Sequence, residues 1–479
     1  MIPVDICKSL ASIVGESYAS DSLYERRLYD HDIAPLPTEV GLVFKMVPDV
    51  VVMPATTDEV SKIVRYAYDN NVPIVPRGAS SWGYGGTIPT MGGIVLGLIR
   101  VKEISGLDRD NMTVHVGAGA RWGTLLTYLE DQGLTFPVYP SSAPSATIGG
   151  WLATGGLGIG SMKYGPVMKH VKNITVVTPD GETHIFSEDD ESFETFFNSE
   201  GTLGIITEAT LKIMPRPEKV SPLLCSFNDY ASLVDVTQRV IEKPVTPFFI
   251  EIQDGEYLEL KRSIGIEVPD VPVLGLFVFE GDESEVLDYE TQFRELVSDA
   301  GGVMHSEHEA MEEWDERFYY MRIKKAGPTL LAGEVTFPIP KLQQVLEGTQ
   351  RIKKKHDLKL GVKAFVVSED TILYMPMFLA DERERWKYMA ILPVINEITE
   401  VGLKAGGGPY GIGIWNAFYL QEFHGADKVR ELKATKKRLD PKDIMNPGKL
   451  YQVKTRFGIP LWGTLFRLGT SMLWILRYF

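Results

Sequence analysis

The chain has 479 residues, 44% of them hydrophobic and 24% charged, the balance of a globular protein of two or three domains at roughly 100–200 residues each. Its 64 acidic and 49 basic side chains leave a net charge of −15, which excludes nucleic acid as a main partner because phosphate contacts need basic surface. Two distant cysteines, Cys7 and Cys225, exclude a disulfide framework and match no metal spacing.

Residues 5–31 read as helical segments ending in a loop, without the basic and apolar regions of a signal peptide, so a cytoplasmic protein is expected. "DVVVMPATTDEVSKIVRYAYDNNVPIVPRGA" reads as a strand, a helix capped near Thr57 with acids in its first turn, and a second strand. This β-α-β unit delivers the chain into a glycine-rich loop. Two strands and a helix starting near Trp122 follow, and Tyr139 to Gly165 is poor in large side chains. "VKNITVVTPDGETHIF" predicts a hairpin turning at Pro179, Asp180 and Gly181. A last strand, "EGTLGIITEATLKIMPRP", breaks at Pro215 and Pro217, a natural domain boundary. From about 219 to 425, strands such as "VLGLFVFEGD" alternate with amphipathic helices such as "SEVLDYETQFRELVSDAG", an α+β pattern. A helix from about Gly425 to Leu439 runs into "DPKDIMNPGKLY".

Three stretches are glycine-rich: "PRGASSWGYGG", "PSSAPSATIGGWLATGGLGIGSMKYG" and "NSEGTLGIITEATL". The first of them carries neither common nucleotide-loop signature. Glycine lets backbone N–H groups approach a ligand and form an anion-binding concavity. Ser80, Ser81, Ser141 and Thr147 can add hydroxyl donors.

The order and content of these loops resemble the flavin-binding domain of the vanillyl-alcohol oxidase / p-cresol methylhydroxylase (PCMH) superfamily, and more narrowly its glycolate oxidase and D-lactate dehydrogenase branch. The resemblance covers about residues 45–218 and extends to about 450, where "LDPKDIMNPGKLY" is similar to that branch's C-terminal signature. It implies an α+β fold: a two-subdomain PCMH-type FAD-binding domain over 1–218 and an α+β substrate (cap) domain over 219–425. A segment returning to the flavin follows at 426–452, then a tail at 453–479. The first loop would hold the FAD pyrophosphate through Pro76, Arg77, Gly78, Ala79, Ser80, Ser81, Gly85 and Gly86. The flavin ring would lie along Pro140, Ser141, Thr147, Gly149, Gly150, Thr154 and Gly156. Glu200, Gly201, Gly204 and Ile206 belong to the third loop, with Ile206 facing the adenine or ribitol. Asn446 and Lys449 would close over the ring; read alone, they also fit a turn cap after a helix. Relatives with histidyl-FAD carry the histidine in the first loop, where this chain has Ser81, so the resemblance implies non-covalent FAD.

Relatives that oxidise 2-hydroxy acids use an arginine fork for the carboxylate, a base for the hydroxyl proton and, in many members, a histidine-bound metal. By resemblance Arg322 stands at the carboxylate position with Lys325 as a helper; on a helix beside Glu312, Glu313 and Glu316 it also reads as a solvated arginine. Pro409 and Tyr410 replace the branch's glutamate and histidine, so no metal is expected. Tyr410 is then a candidate proton acceptor or hydrogen-bond donor to substrate, with packing against the flavin as the equal alternative. His305 and His308, in "HSEHE", have a spacing that could ligate a metal but, with no third ligand in view, read as surface residues, and His424 as a surface cap or a group at the pocket mouth. The implied function is an FAD-dependent dehydrogenase taking a hydride from a hydroxy acid such as D-lactate or glycolate, or a related alcohol. Its electrons would pass to an external acceptor: an iron–sulfur subunit, an electron-transfer flavoprotein or a quinone. A non-catalytic flavin electron-transfer subunit and an alkyl-dihydroxyacetonephosphate synthase-like enzyme are the alternatives.

The tail "FGIPLWGTLFRLGTSMLWILRYF" is interrupted by Arg467 and is too short of apolar residues to span a bilayer. It fits an amphipathic helix lying in a membrane surface, with Trp462 and Trp474 at the interface, docking on a partner subunit, or packing on the protein's own core. The membrane option places the protein peripherally on the inner face of the cell membrane.

Overall fold

The computed structural model describes residues 5–34, 36–242 and 246–463, together with 466, 467, 469 and 472. Most of the expected tail helix, including Leu465, Leu468, Trp474 and Leu476, lies outside the described residues.

The amino-terminal domain begins with a small sheet. A short strand β1 (Ala19–Ser20) pairs antiparallel with β2 (Val50–Val52), whose three valines are all buried. Helix α1 (Thr57–Asn70) follows; the Thr56 hydroxyl caps it by accepting from the Glu59 N–H at 3.2 Å, and it ends at Asn71, a left-handed residue. Its Val60, Ile63, Val64 and Ala67 pack on the sheet, each fully buried. Burial of such side chains contributes about 1.5–3 kcal/mol for each of the larger ones. Strands β3 (Ile74–Arg77) and β4 (Ile94–Gly97) pair in parallel, giving the order β1-β2-β4-β3. The first glycine loop therefore leaves the carboxyl end of β3, where open α/β sheets bind their ligands.

A second, antiparallel sheet is built from β5 (Ile104–Asp108), β6 (Thr113–Gly117), β7 (Val171–Val177), β8 (Thr183–Ser187) and β9 (Ile205–Lys212), in the order β5-β6-β9-β7-β8. Between β6 and β7 run α2 (Trp122–Glu130) and α3 (Ile148–Ala153). The β7–β8 hairpin turns at Gly181, whose φ of 84° a side chain would resist. Trp151 of α3 meets Trp122 of α2 edge-on at 5.0 Å, so the glycine-rich second loop rests on a rigid aromatic floor.

The second domain is a nine-stranded antiparallel sheet: β10 (Lys219–Phe227), β11 (Phe249–Asp254), β12 (Val273–Gly281), β13 (Val303–Met304), β14 (Thr329–Ala332), β15 (Val335–Pro338), β16 (Leu360–Val366), β17 (Thr371–Ala380) and β18 (Gly408–Pro409). Both β14 and β15 pair with β17; Ala332 faces Met377 and Val335 faces Tyr374, a register that sets Glu334 opposite Met375. Helix α4 (Ala426–Leu439) then leads the chain back to the first domain. There Ile74 donates to the Ile444 carbonyl at 2.8 Å and Asn446 donates to the Ile74 carbonyl at 2.7 Å. The returning segment thus extends the first sheet beside β3.

Candidate active site at the domain interface

The three glycine-rich loops and the cap sheet line one open cleft, the kind of concave site between domains that small ligands occupy. Pro76, Arg77, Gly78, Ala79, Ser80, Ser81 and Gly86 line it from the first loop. Pro140, Ser141, Thr147, Gly149, Gly150 and Thr154 line it from the second, and Glu200, Gly201, Gly204 and Ile206 from the third. The backbone N–H groups of Gly78, Ala79, Ser80 and Ser81 donate to no other group among the described residues. At Gly78 a Cβ would stand 2.2 Å from the Thr147 hydroxyl oxygen, so the two loops meet at contact distance only because that side chain is absent.

Two features fit an anionic dinucleotide. The Thr147 hydroxyl is buried without a hydrogen-bond partner among the described residues, a cost that a bound ligand would relieve. Arg77 lies over the Tyr29 ring at 5.2 Å and is the one cation on the cleft wall among the described residues; burial lowers its pKa, and Asp32 opposes that shift. The residues present therefore fit FAD, whose diphosphate needs backbone donors and whose ring needs a flat wall of small residues.

Four expected cofactor residues stand outside the cleft lining. The Gly85 N–H is taken by the buried Asp32 carboxylate at 2.7 Å, and the Gly156 carbonyl accepts from Val167 beneath the loop. Asn446 clamps the loops from behind: its side-chain amide donates to the carbonyl oxygens of Gly86 at 2.9 Å and Glu200 at 2.7 Å. Lys449 is buried and donates to the Asn446 side-chain oxygen; burial pulls its pKa down to about 7 against the pull of Glu200 and Asp32. These two residues brace the loops of the cradle from outside the cleft lining.

The substrate side departs from expectation. Arg322 is exposed, pairs with Glu316 at 2.6 Å and lies over the Tyr319 ring at 4.7 Å, and Lys325 is also exposed. Neither lines the cleft. The short turn Tyr320–Ala326 aims Tyr320 into the cleft instead. Tyr410 does line it, packed on Trp82 at 5.2 Å. Its hydroxyl, however, accepts from the Leu157 N–H at 2.9 Å and donates to the Leu157 carbonyl at 3.0 Å. Burial raises its pKa further, so the phenol is a poor proton acceptor. His305 bonds the Ser226 hydroxyl at 2.9 Å, His308 is exposed, and neither of these nor His424 lines the cleft.

Sequence reasoning missed Glu334. It lines the cleft beside Tyr320, Phe365, Leu373, Met375 and Tyr410, and its Oε2 accepts from the Trp82 indole N–H at 2.7 Å. Burial pushes its carboxyl up to about 7, against the pull of the indole N–H.

Comparison with known proteins agrees with this fold and with FAD as its cofactor. Residues 48–187 match the FAD binding domain family, and residues 216–450 match the family of FAD linked oxidases, C-terminal domain. The chain is 27% identical over 475 residues to the glycolate oxidase subunit GlcD of Bacillus subtilis (strain 168), covering 95% of this chain and 98% of that one. It is 28% identical over 436 residues to a D-lactate dehydrogenase of Anaerostipes hadrus, covering 86% and 91%. In fold it is similar to p-cresol methylhydroxylase with substrate bound, with a TM-score of 0.80 at 15% identity over 94% and 96% of the two chains. It is likewise similar to alkyldihydroxyacetonephosphate synthase, with a TM-score of 0.73 at 22% identity over 93% and 86%.

Proposed function

The chain belongs to the FAD-linked oxidases, and on that premise we propose that it is a dehydrogenase of small CH–OH donors that hands its electrons to an external acceptor. One observation carries the reading: the glycine-walled cradle opens, without a break in the cleft, into a chamber walled by the cap sheet. Bound FAD would supply a hydride acceptor and a two-electron reservoir. Pro76 to Ser81 and the Thr147 hydroxyl would hold it, with Asn446 bracing the loops. Tyr320, Phe365, Leu373 and Met375 give the chamber a largely apolar wall, and Trp82 and Glu334 set its polar end. The test is anaerobic addition of glycolate, D-lactate and uncharged alcohols to the purified holoprotein, followed by the visible flavin band. Bleaching by at least one of them is expected; no bleaching by any would end the reading.

Two cysteines cannot ligate an iron–sulfur cluster of the chain's own, so the electrons must leave the protein. We infer that they leave at a lipid surface. Leu42 (77% exposed), Phe457 (75%) and Trp462 (71%) project into solvent, and Arg456 ties their two segments together by bonding the carbonyls of Val43 and Gly41. Asp443 is the last acidic residue of the sequence, although the chain as a whole carries −15. An apolar patch beside Arg456, on a segment with no acidic residue after Asp443, suits an anionic bilayer.

A further inference from the structure

We propose that Glu334 takes the proton of the substrate hydroxyl, and that the chamber it serves accepts an uncharged alcohol in preference to a 2-hydroxy-acid anion. The proposal rests on the dehydrogenase reading and adds to it the group that moves the proton and the class of substrate.

Three observations converge on this residue. The first is register: with Ala332 opposite Met377 and Val335 opposite Tyr374, Glu334 shares a sheet face with Leu373 and Met375, which line the cleft. The second is positioning from both domains. Trp82, on the first loop, holds Oε2 at 2.7 Å, and the Glu334 carbonyl accepts from the Tyr410 N–H at 3.0 Å. An indole is a donor only, so it orients the carboxylate without competing for a proton. No other side chain bonds the carboxylate among the described residues, which leaves the second oxygen for a ligand. The third is protonation: a carboxyl held near 7 by burial can accept a proton at neutral pH and release it again.

The groups facing Glu334 explain the choice of substrate. They are the Trp82 N–H and the phenols of Tyr84, Tyr320 and Tyr410. Among the described residues, no lysine, arginine or histidine stands on this part of the wall. The nearby cation, Lys363, lies 5.4 Å from the Tyr320 ring but is buried and paired with Glu251 at 2.8 Å. Arg77 faces Tyr29 and Asp32, and its charge is not among the influences on the Glu334 carboxyl. A substrate carboxylate would therefore be desolvated beside a second carboxylate with no counter-charge, which is costly. A hydroxyl on an apolar or aromatic carbon meets an acceptor and a ring-lined wall.

The step balances. The substrate O–H bond breaks and its proton passes to the free Glu334 oxygen. The C–H bond breaks and its electron pair leaves with the hydrogen as hydride to oxidised FAD. The oxygen lone pair closes the carbonyl, so the alcohol is oxidised by two electrons and FAD is reduced by two.

The test compares benzyl alcohol with D-mandelate, which adds only a carboxylate to it, in wild-type holoprotein and Glu334→Gln, with phenol as an unreactive binding probe. Benzyl alcohol should bleach the flavin at least about tenfold faster than D-mandelate. Its rate should rise with pH through about 7, and E334Q should slow it by about 10²–10⁴-fold and flatten that profile. Phenol binding, read from the perturbed flavin spectrum, should tighten above the same pH in wild type and be pH-independent in E334Q. Unchanged melting temperature and flavin content would show that the variant folds. D-mandelate or D-lactate outrunning benzyl alcohol would overturn the substrate class. E334Q bleaching within threefold of wild type on the same pH profile would overturn the role of Glu334 and leave the dehydrogenase reading standing. No bleaching by acid or alcohol, with phenol still bound, would remove that reading and the proton step with it.

Discussion

The hydroxyl of Tyr410 and the backbone of Leu157 satisfy each other completely, the phenol accepting from the N–H at 2.9 Å and donating to the carbonyl at 3.0 Å. A cap residue thereby pins the second glycine loop against the substrate chamber. Tyr410→Phe keeps the ring on Trp82 but strands two backbone groups. Stability should fall by about 1–3 kcal/mol, measured by denaturant unfolding of the holoprotein, while flavin bleaching stays within about threefold of wild type. A loss of 10²-fold or more with normal stability would restore the phenol to the chemistry.

Thr147 makes the opposite prediction. Its hydroxyl is buried without a partner among the described residues, so Thr147→Val removes an unpaid desolvation cost. The flavin-free protein should unfold at the same or a higher temperature, while FAD affinity drops by about tenfold. Fluorescence titration of apoprotein with FAD checks the second half.

Lys449 gives the fold a pH dependence. Its pKa in the folded chain is about 7, below the ordinary value of 10.5, so the folded state holds fewer protons between the two. Stability linked to this group therefore rises as pH climbs from about 7 towards 10.5, and the burial cost is felt in full below that window. The difference in unfolding free energy between wild type and Lys449→Met, measured across pH 6 to 10, should change in that direction. A flat difference would mean that the ammonium keeps its charge throughout.

The exposed face of Leu42, Phe457 and Trp462 should bring the full chain up with phosphatidylglycerol vesicles in a flotation gradient, and less so with phosphatidylcholine or at high salt. Leu42→Asp combined with Phe457→Asp should leave it at the bottom with its flavin still bound. Equal flotation of that variant would refute a role for the face. A change in oligomeric state without flotation would assign it to another protein surface.

The glycine loops announce themselves because they close tightly on one another, and that closeness leaves a local pattern: a Cβ at Gly78, Gly86 or Gly149 would collide with Thr147, Glu200 or Ala118. Asn446 was legible only through the resemblance, since nothing nearby says that its amide reaches Gly86 and Glu200. Arg322 misled because a tight turn sends positions 320 and 322 to different sides, so the tyrosine lines the chamber and the arginine meets Glu316. Glu334 left no local signal at all. In "LLAGEVTF" it reads as one polar position among apolar ones, and only strand pairing to Met375 and an indole 252 residues away make it a buried carboxyl.

The Asn446 clamp also sets an order of events during synthesis. The Gly86 carbonyl that it bonds emerges early from the ribosome, but its donor arrives 360 residues later, after the entire cap sheet. A nascent chain stopped short of that point has all three cradle loops and no latch, so it can visit the coenzyme but not retain it. Pigment uptake should thus be a late maturation event, and an unfinished polypeptide would be colourless rather than a half-active, electron-leaking intermediate.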